Sequence, residues 1–131
     1  MIFVEFPTYS EPNGTLTVFE AGNVVPFEIR RAFSVTASKD SVRGKHSHIR
    51  CSQLVVCVAG SIRLSCFDGE ISQETILDNG HVGVLIPPGT WATQEYLQDN
   101  STIIVFCDRL YESEDYIRDF QEFLRVKAAK K

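Results

Sequence analysis

Short apolar segments separated by turn residues follow one another along most of the chain. The strongest runs from Gln53 to Ala59, is apolar on both faces of a strand, and is separated by Gly60 from the next run, Ser61 to Phe67. A strand of this kind needs a second sheet or a partner chain to cover it. Further strands are predicted at Met1 to Phe6, Thr15 to Glu20, Ile29 to Ala37, Ser72 to Leu77, Val82 to Ile86, Trp91 to Tyr96 and Thr102 to Cys107. Short strands joined by Gly-bearing turns indicate an all-β barrel or sandwich with antiparallel neighbours.

The end of the chain has a helical period instead. From Asp115 onward, apolar residues recur at helical spacing, at Tyr116, Phe120, Phe123 and Leu124. Acidic residues precede this segment and three lysines close it, Lys127, Lys130 and Lys131, which suits a helix dipole. The pattern predicts a C-terminal α-helix that packs against the barrel as a lid. Because no repeat or linker is visible, residues 1–131 are predicted to form a single domain.

The composition, 44% hydrophobic and 23% charged, is that of a globular protein. No apolar run approaches the roughly 20 residues that span a bilayer. The opening segment has no basic region and carries acids early, unlike a signal peptide. We therefore expect a cytoplasmic protein. The four cysteines form no C-x-x-C pair and are expected to be buried core residues, at Cys51, Cys57, Cys66 and Cys107.

Basic residues are concentrated in one part of this acidic chain, whose net charge is −4. The first 29 residues contain no Lys or Arg. Between positions 30 and 50, with Asp40 as the only acid, lie Arg30, Arg31, Lys39, Arg43, Lys45 and Arg50. A nucleic-acid-binding protein would carry a broader basic face. The segment is better suited to a small anion such as a diphosphate.

The same segment contains the pair His46 and His48. Residues two apart in a strand point to one face, so the two imidazoles are expected to enter one cavity. A metal site of the usual cupin kind would add a carboxylate shortly after the pair and a third histidine after the later P-x-G turn. Residues 49–53 contain no acid and residues 90–92 contain no histidine. We therefore predict no metal and no other cofactor.

Paired histidines beside basic groups suit general acid–base catalysis, because imidazole titrates near neutral pH. Arg43 is placed to stabilise an oxyanion or to hold a phosphate. The third histidine, His81, follows Asn79-Gly80 in a turn and is expected to be exposed to solvent. The pattern does not decide which histidine of the pair is the base.

Several ordered motifs resemble one known family, the dTDP-4-keto-6-deoxy-D-glucose 3,4-ketoisomerases, over nearly the whole chain. The motifs are Val25-Pro26-Phe27-Glu28-Ile29-Arg30-Arg31, Val42-Arg43-Gly44, the His46/His48 pair, Gln53 to Gly60, Trp91 after Pro87-Pro88-Gly89, and Tyr111 with Glu114-Asp115-Tyr116-Ile117-Arg118. The resemblance implies a metal-independent, cupin-type antiparallel β-barrel (jelly roll) that forms a homodimer, often by exchanging N-terminal strands. It also implies a dTDP-linked keto-sugar as substrate.

In the implied reaction, a 4-keto-6-deoxy sugar becomes its 3-keto isomer through an enediolate, with His46 and His48 as the catalytic residues. The products of such enzymes feed aminotransferases that make sugars for lipopolysaccharide and other surface polysaccharides, including O-antigens. Arg43 matches a family arginine, and we predict substrate-binding roles for Arg43, Ser34, Arg50 and Trp91. Trp91 suits a core position as well as a pocket wall.

One departure concerns a tyrosine that the family carries in its third strand. Ungapped counting from His46 places Ser34 there, with Phe33 beside it. Serine is a shorter donor and a far weaker acid than a phenol. The segment from Trp91 to Tyr96 also lacks the histidine or arginine often found after this tryptophan. Three alternatives therefore stay open: a related dTDP-sugar epimerase, a non-catalytic barrel that binds a nucleotide sugar, and a metal-containing cupin.

Overall fold

The computed structural model describes residues 1–130, so that Lys131, predicted at the end of the helix, lies outside the described residues. In chain order the strands are β1 (Ile2–Glu5), β2 (Thr8–Glu11), β3 (Gly14–Thr17), β4 (Arg31–Ala37), β5 (Val42–His48), β6 (Gln53–Ala59), β7 (Ile62–Phe67), β8 (Ser72–Leu77), β9 (Val82–Ile86), β10 (Trp91–Tyr96), β11 (Ser101–Cys107) and β12 (Tyr116–Ile117). A 3-10 helix, Ser113–Asp115, precedes β12, and the α-helix α1 (Phe120–Ala129) follows it.

Two five-stranded sheets pack against each other. The first has the order β1-β9-β6-β11-β4, the second has the order β12-β5-β10-β7-β8, and β2 and β3 form a separate hairpin. Every pairing between these strands is antiparallel. The core between the sheets includes Val55, Ile62, Leu64, Tyr96, Ile103 and Val105. The predicted all-β antiparallel fold with a C-terminal helix is confirmed.

The cysteines belong to this core, as predicted. Cys51, Cys57 and Cys107 are buried, and Cys66 is half-buried. All four are free thiols. Their role in the fold is that of small apolar side chains.

The chain's own N-terminal segment covers the outer face of β6. Leu54 and Val56 point outward from the first sheet and are fully buried beneath Val25 and its neighbours. Phe19 lies over the same face, with its ring centroid 5.1 Å from that of Phe106. The apolar character of both faces of β6 therefore has a cause within one chain, because the second sheet covers one face and residues 19–29 cover the other.

The largest differences between predicted and observed bounds occur in two elements. The strand predicted at Thr15 to Glu20 ends at Thr17, because the following residues leave the hairpin to pack on the first sheet. The helix begins at Phe120 and not at Asp115. Its N-cap is Asp119, whose side chain accepts a hydrogen bond from the backbone N–H of Gln121. Tyr116 and Ile117 form β12 instead, because they pair with His48 and Ser47 at the open edge of β5.

Helix α1 lies against the outer face of the second sheet, away from the space between the sheets. Phe123 is buried against Trp91 and Phe67, with ring centroids 5.7 and 6.0 Å away. The helix thus packs on the barrel as predicted, but it covers a wall and does not close a mouth. Among residues 1–130, no helix has the length and apolar content needed to cross a membrane.

Candidate active site

A cavity of about 220 Å³ lies between the two sheets. One side of it is apolar and is formed by β4 and β11, through Phe33, Val35, Ile103 and Val105. The rest of the lining is polar and consists of Arg43, Gly44, His46, Gln53, Gln94, Tyr116 and Arg118. A larger pocket of about 350 Å³ lies beside Trp91 and Phe120, but among the described residues its lining includes neither a histidine nor a charged side chain. The chemistry therefore points to the cavity between the sheets.

A β-bulge turns both Arg43 and His46 toward this cavity. Gly44 pairs with Thr93 and His46 pairs with Ala92, so that Lys45 is an extra residue in β5. Without the bulge, residues three apart would point to opposite faces. Gly44 and Lys45 both have positive φ angles, 83° and 56°. Gly44 is required here, since a Cβ atom would lie 2.9 Å from the carbonyl oxygen of Ala92.

His46 reaches the cavity with one ring nitrogen already bonded. Its Nδ1 lies 3.0 Å from the carbonyl oxygen of Gly44. Because a carbonyl only accepts, Nδ1 carries the proton and Nε2 has a free lone pair. Burial lowers the pKa of His46 from 6.5 to about 4, so the ring is neutral at physiological pH.

His48 lies behind His46 in the same strand, with the two ring centroids 5.1 Å apart. The residue is only 4% exposed, and the centroid of its ring lies 4.3 Å from that of Tyr116. Its Nδ1 lies 3.0 Å from Oδ2 of Asp115, whereas its Nε2 is buried with no hydrogen-bond partner among residues 1–130. Burial lowers the pKa of His48, although the Asp115 carboxylate opposes that effect.

Asp115 is a buried carboxylate at the end of the 3-10 helix. It accepts hydrogen bonds from His48 and from the backbone N–H groups of Arg50, at 2.7 Å, and Cys51, at 3.3 Å. Burial alone would raise the pKa of Asp115, but these hydrogen bonds outweigh it and hold the pKa below its usual range. The carboxylate is therefore ionised inside the protein.

Two further arginines surround the histidine pair. Arg118 lines the cavity, and its guanidinium lies 4.3 Å from the centroid of the Tyr116 ring. Arg31 donates a hydrogen bond of 3.2 Å to the hydroxyl of Tyr116 and one of 3.6 Å to Sγ of Cys107. Arg43 and Arg118 thus place two guanidinium groups at the cavity wall, which suits an anionic ligand.

A ring nitrogen, a thiol and a carboxylate oxygen also come together at His48, Cys51 and Asp115, within 4.8 Å of one another. The Asp115 oxygens already accept three N–H groups, and the Cys51 thiol donates to the carbonyl of Ser52. The trio is therefore engaged in a hydrogen-bond network of its own.

The structure brings together only part of the predicted site. Arg43 and His46 line the cavity, and His48 adjoins His46. Ser34 is exposed on the outer face of β4, because it alternates with the cavity residues Phe33 and Val35. The structure thus places Ser34 away from the predicted binding site.

Arg50 and Trp91 also lie outside the cavity lining. Arg50 is exposed, and its guanidinium pairs with Glu112 and Asp115. Trp91 is half-buried on the outer face of β10, 5.2 Å from the ring of Phe120, where it lines the larger pocket beside the helix. His81 is exposed in its turn, as predicted, and its ring contacts the hydroxyl of Thr8.

Several cavity residues were not among the predicted site residues, namely Gln53, Gln94, Tyr116 and Arg118, together with Asp115 behind His48. The tail residues were predicted to be helical, which concealed their pairing with β5. A signal was present, because the motif Asp115-Tyr116-Ile117-Arg118 is part of the family resemblance. For Gln53 and Gln94, which belong to different sheets, only the register of β6 and β10 shows that both side chains face the cavity.

Comparisons with known proteins show which family the chain resembles in sequence. A family described as FdtA: WxcM-like, C-terminal matches residues 1–128. The chain is 31% identical over 121 residues to a TDP-4-oxo-6-deoxy-alpha-D-glucose-3,4-oxoisomerase of Aneurinibacillus thermoaerophilus, covering 92% of this chain and 87% of that protein.

Two solved structures have nearly the same fold. A 3,4-ketoisomerase from Helicobacter canadensis superposes with a TM-score of 0.92 at 27% identity, covering 97% of this chain and 96% of the other. The sugar 3,4-ketoisomerase QdtA from Thermoanaerobacterium thermosaccharolyticum, in complex with TDP, superposes with a TM-score of 0.93 at 25% identity, covering 98% and 95%. By its sequence and its fold, the chain belongs to the family of sugar 3,4-ketoisomerases.

Proposed function

We propose that this protein isomerises a dTDP-linked 4-keto-6-deoxy sugar to its 3-keto isomer by histidine acid–base catalysis through an enediolate. The observation that carries the proposal is the pair of adjacent imidazoles beside a cavity whose charged side chains, within the described chain, are arginines. Both Nδ1 atoms donate to fixed acceptors, which leaves both Nε2 atoms free to take a proton.

The proposed reaction moves one hydrogen from carbon 3 to carbon 4 of the sugar. The ketone at carbon 4 acidifies the proton on carbon 3, and a histidine removes it. The electron pair of that bond becomes the C3=C4 bond of the enediolate, and negative charge develops on the oxygen at carbon 4. The proton of the 3-hydroxyl moves to that oxygen, and the proton held by the histidine returns to carbon 4. Atoms and electrons balance without a further reactant.

The arginines at the cavity wall supply the electrostatic part of the proposal. The guanidinium groups of Arg43 and Arg118 are suited to a diphosphate or to the developing enediolate charge. The aromatic and aliphatic side chains opposite them offer an apolar surface for a base or a deoxy sugar. These groups account for binding, and the histidines account for proton transfer.

The resemblance placed a tyrosine at the position of Ser34. β4 contributes no phenol to the cavity, because its residue there is Phe33. The polar uncharged groups of the cavity are instead Gln53, Gln94 and Tyr116. We therefore assign proton transfer between the two sugar oxygens to the histidine pair and these neighbours.

We also propose that the protein is a cytoplasmic homodimer of deoxysugar biosynthesis whose N-terminal strands are exchanged between subunits. In residues 1–130, the hairpin β2–β3 pairs with no other strand. It exposes Tyr9 and Leu16, 60% and 62% accessible, which a partner chain would cover. Light scattering in solution should give twice the mass of 14.8 kDa. A mass of 14.8 kDa at all concentrations would contradict exchange.

The test is proton NMR of the protein with dTDP-4-keto-6-deoxyglucose in heavy water. We expect deuterium at the exchanging sugar carbons and the signals of a 3-keto product, both lost in His46→Asn. His81→Asn is the matched control, because His81 is exposed and does not line the cavity. This variant should retain activity.

Each of the three open alternatives predicts a different result. Exchange at carbon 3 with an epimer and no 3-keto product would identify an epimerase. Tight binding of TDP without exchange would identify a non-catalytic binding protein. One equivalent of bound zinc, iron or manganese needed for turnover would contradict the proposed histidine mechanism.

A further inference from the structure

Gln94 lines the cavity between the sheets, and its side chain is almost completely buried. In β10, Ala92, Gln94 and Tyr96 are buried and alternate with half-buried residues of the outer face. Only 8% of Gln94 is exposed. Within residues 1–130, its carboxamide makes no hydrogen bond. A buried polar side chain without a partner is uncommon, and in a cavity wall it indicates a group that a ligand completes.

The carboxamide of Gln94 lies against the backbone of Gly44, in the neighbouring strand β5. A Cβ atom at Gly44 would lie 3.2 Å from Nε2 and 3.4 Å from Cδ of Gln94. The carbonyl of Gly44 also accepts the hydrogen bond from Nδ1 of His46. The Cα partner of Gln94 in β5 is Arg43. The amide is therefore part of the same stretch of wall as His46 and Arg43.

The other polar side chains of the cavity are charged or already have a partner. The arginines are suited to the anionic part of a ligand. The hydroxyl of Tyr116 accepts a hydrogen bond of 3.2 Å from Arg31, and Nε2 of Gln53 donates to Sγ of Cys107 at 3.7 Å. In the described part of the chain, Gln94 is thus the cavity side chain whose donor and acceptor groups are both open. Because a carboxamide does not titrate near neutral pH, its part is to hold a ligand group in place.

The position of Gln94 indicates which part of the substrate it meets. Because Gln94 shares its stretch of wall with His46, the nearest part of the substrate is the reacting sugar and not the nucleotide. In a 4-keto-6-deoxy sugar, the ring carries hydroxyl groups at carbons 2 and 3. The 3-hydroxyl gives up its proton in the proposed reaction, whereas the 2-hydroxyl is unchanged. A side chain that holds a group without transferring a proton is suited to the 2-hydroxyl.

We propose that Gln94 is a specificity-determining residue whose carboxamide binds the 2-hydroxyl of the nucleotide-linked sugar. This inference rests on the proposed function, which locates the reacting carbons beside His46. It makes the protein selective for sugars that carry a hydroxyl at carbon 2. A 2-deoxy sugar would fill the cavity and leave the buried amide without a partner, which weakens binding.

Calorimetric titration with unreactive ligands tests the contact without turnover. The first ligand is dTDP-6-deoxyglucose, which has a hydroxyl in place of the ketone at carbon 4. It is compared with its 2-deoxy counterpart, its 3-deoxy counterpart and dTDP alone. We expect the wild-type protein to bind dTDP-6-deoxyglucose about 5- to 50-fold more tightly than the 2-deoxy sugar. Equal affinities for these two sugars would overturn the inference, and so would a failure to bind either.

Gln94→Met removes the carboxamide and nearly conserves the volume of the side chain. We expect this variant to bind the two sugars with affinities equal to within about twofold and to bind dTDP as the wild-type protein does. Persistence of the wild-type preference would overturn the inference. A loss of preference confined to the 3-deoxy sugar, or an equal loss of dTDP binding, would also overturn it. Gln94→Leu gives the same test if Gln94→Met does not fold.

Gln121→Met is the matched control. Gln121 is exposed on α1 and does not line the cavity, so this variant should keep the wild-type preference. Turnover of the keto-sugar is measured separately by NMR. Absence of turnover with the preference intact would refute the proposed isomerase and leave the hydroxyl contact in place. Full turnover without any preference at carbon 2 would overturn the role of Gln94 alone.

Discussion

Replacing Gly44 by alanine should disrupt the bulge that aims Arg43 and His46 into the cavity. The backbone of Gly44 has a φ of 83°, and an added Cβ would meet the Ala92 carbonyl at 2.9 Å and the Gln94 amide at 3.2 Å. The positive φ costs an alanine about 1–2 kcal/mol. The contact with a backbone oxygen adds about 1–3 kcal/mol, because the neighbouring strand must shift.

The change is measured by urea unfolding and by thermal denaturation. We expect Gly44→Ala to lose about 2–5 kcal/mol, the sum of the two effects. For a chain of this size, each kcal/mol lowers Tm by roughly 3–5 °C. Activity should fall by at least about tenfold beyond the loss of folded protein, because a displacement of about 1 Å at a catalytic group is costly.

Gly22→Ala is the control that separates strain from contact. Gly22 has nearly the same φ, 81°, but nothing lies within 4 Å of its would-be Cβ. It should therefore lose only about 1–2 kcal/mol and keep its activity per folded molecule. Equal stabilities of the two variants, with equal activities, would refute the argument that the Ala92 contact fixes the bulge.

Two further predictions concern charge. Arg118→Met should raise KM for a dTDP-sugar by about 10- to 100-fold in steady-state assays, because it removes one charge-assisted hydrogen bond of about 1.5–3 kcal/mol. Arg125 is an exposed arginine of α1, and Arg125→Met should leave KM unchanged. Burial lowers the pKa of His46 from 6.5 to about 4. Between these pH values the unfolded chain therefore binds one more proton at this residue than the folded protein does. The free energy of unfolding should decrease as the pH falls from 6.5 to 4. Urea unfolding at several pH values should show a smaller loss for His46→Asn, and an equal loss in both proteins would contradict the prediction.

The local pattern of apolar and polar residues was sufficient to predict the positions of several strands. The runs Gln53 to Ala59, Ser72 to Leu77, Val82 to Ile86 and Trp91 to Tyr96 match β6, β8, β9 and β10. Their residues alternate or are continuously apolar, and Gly-bearing turns separate them. The secondary structure of the tail was harder to predict, because Tyr116 fits the apolar spacing of a helix but forms a two-residue strand beside β5.

The sequence predicted the residues of the candidate site only where they are close to one another in the chain. His46 and His48 are two apart, and Arg43 belongs to the same strand, so one segment contains them all. Ser34 was predicted by counting along β4, but the pleat of the strand turns its neighbour Phe33 inward instead. Trp91 has an outward direction set by the register of β10 against β7 and β5, which no local pattern shows.

The sequence alone determined the all-β class, the terminal helix, the core cysteines and the histidine pair, because each depends on neighbours within a few residues. The tertiary structure alone decided which side chains meet that pair. Asp115 contacts His48 although the two are 67 residues apart, and the cavity between the sheets is lined by Gln94 of β10 and by Arg118, which follows β12. Such meetings depend on strand order, register and one bulge, which arise only when the two sheets have packed over a common core.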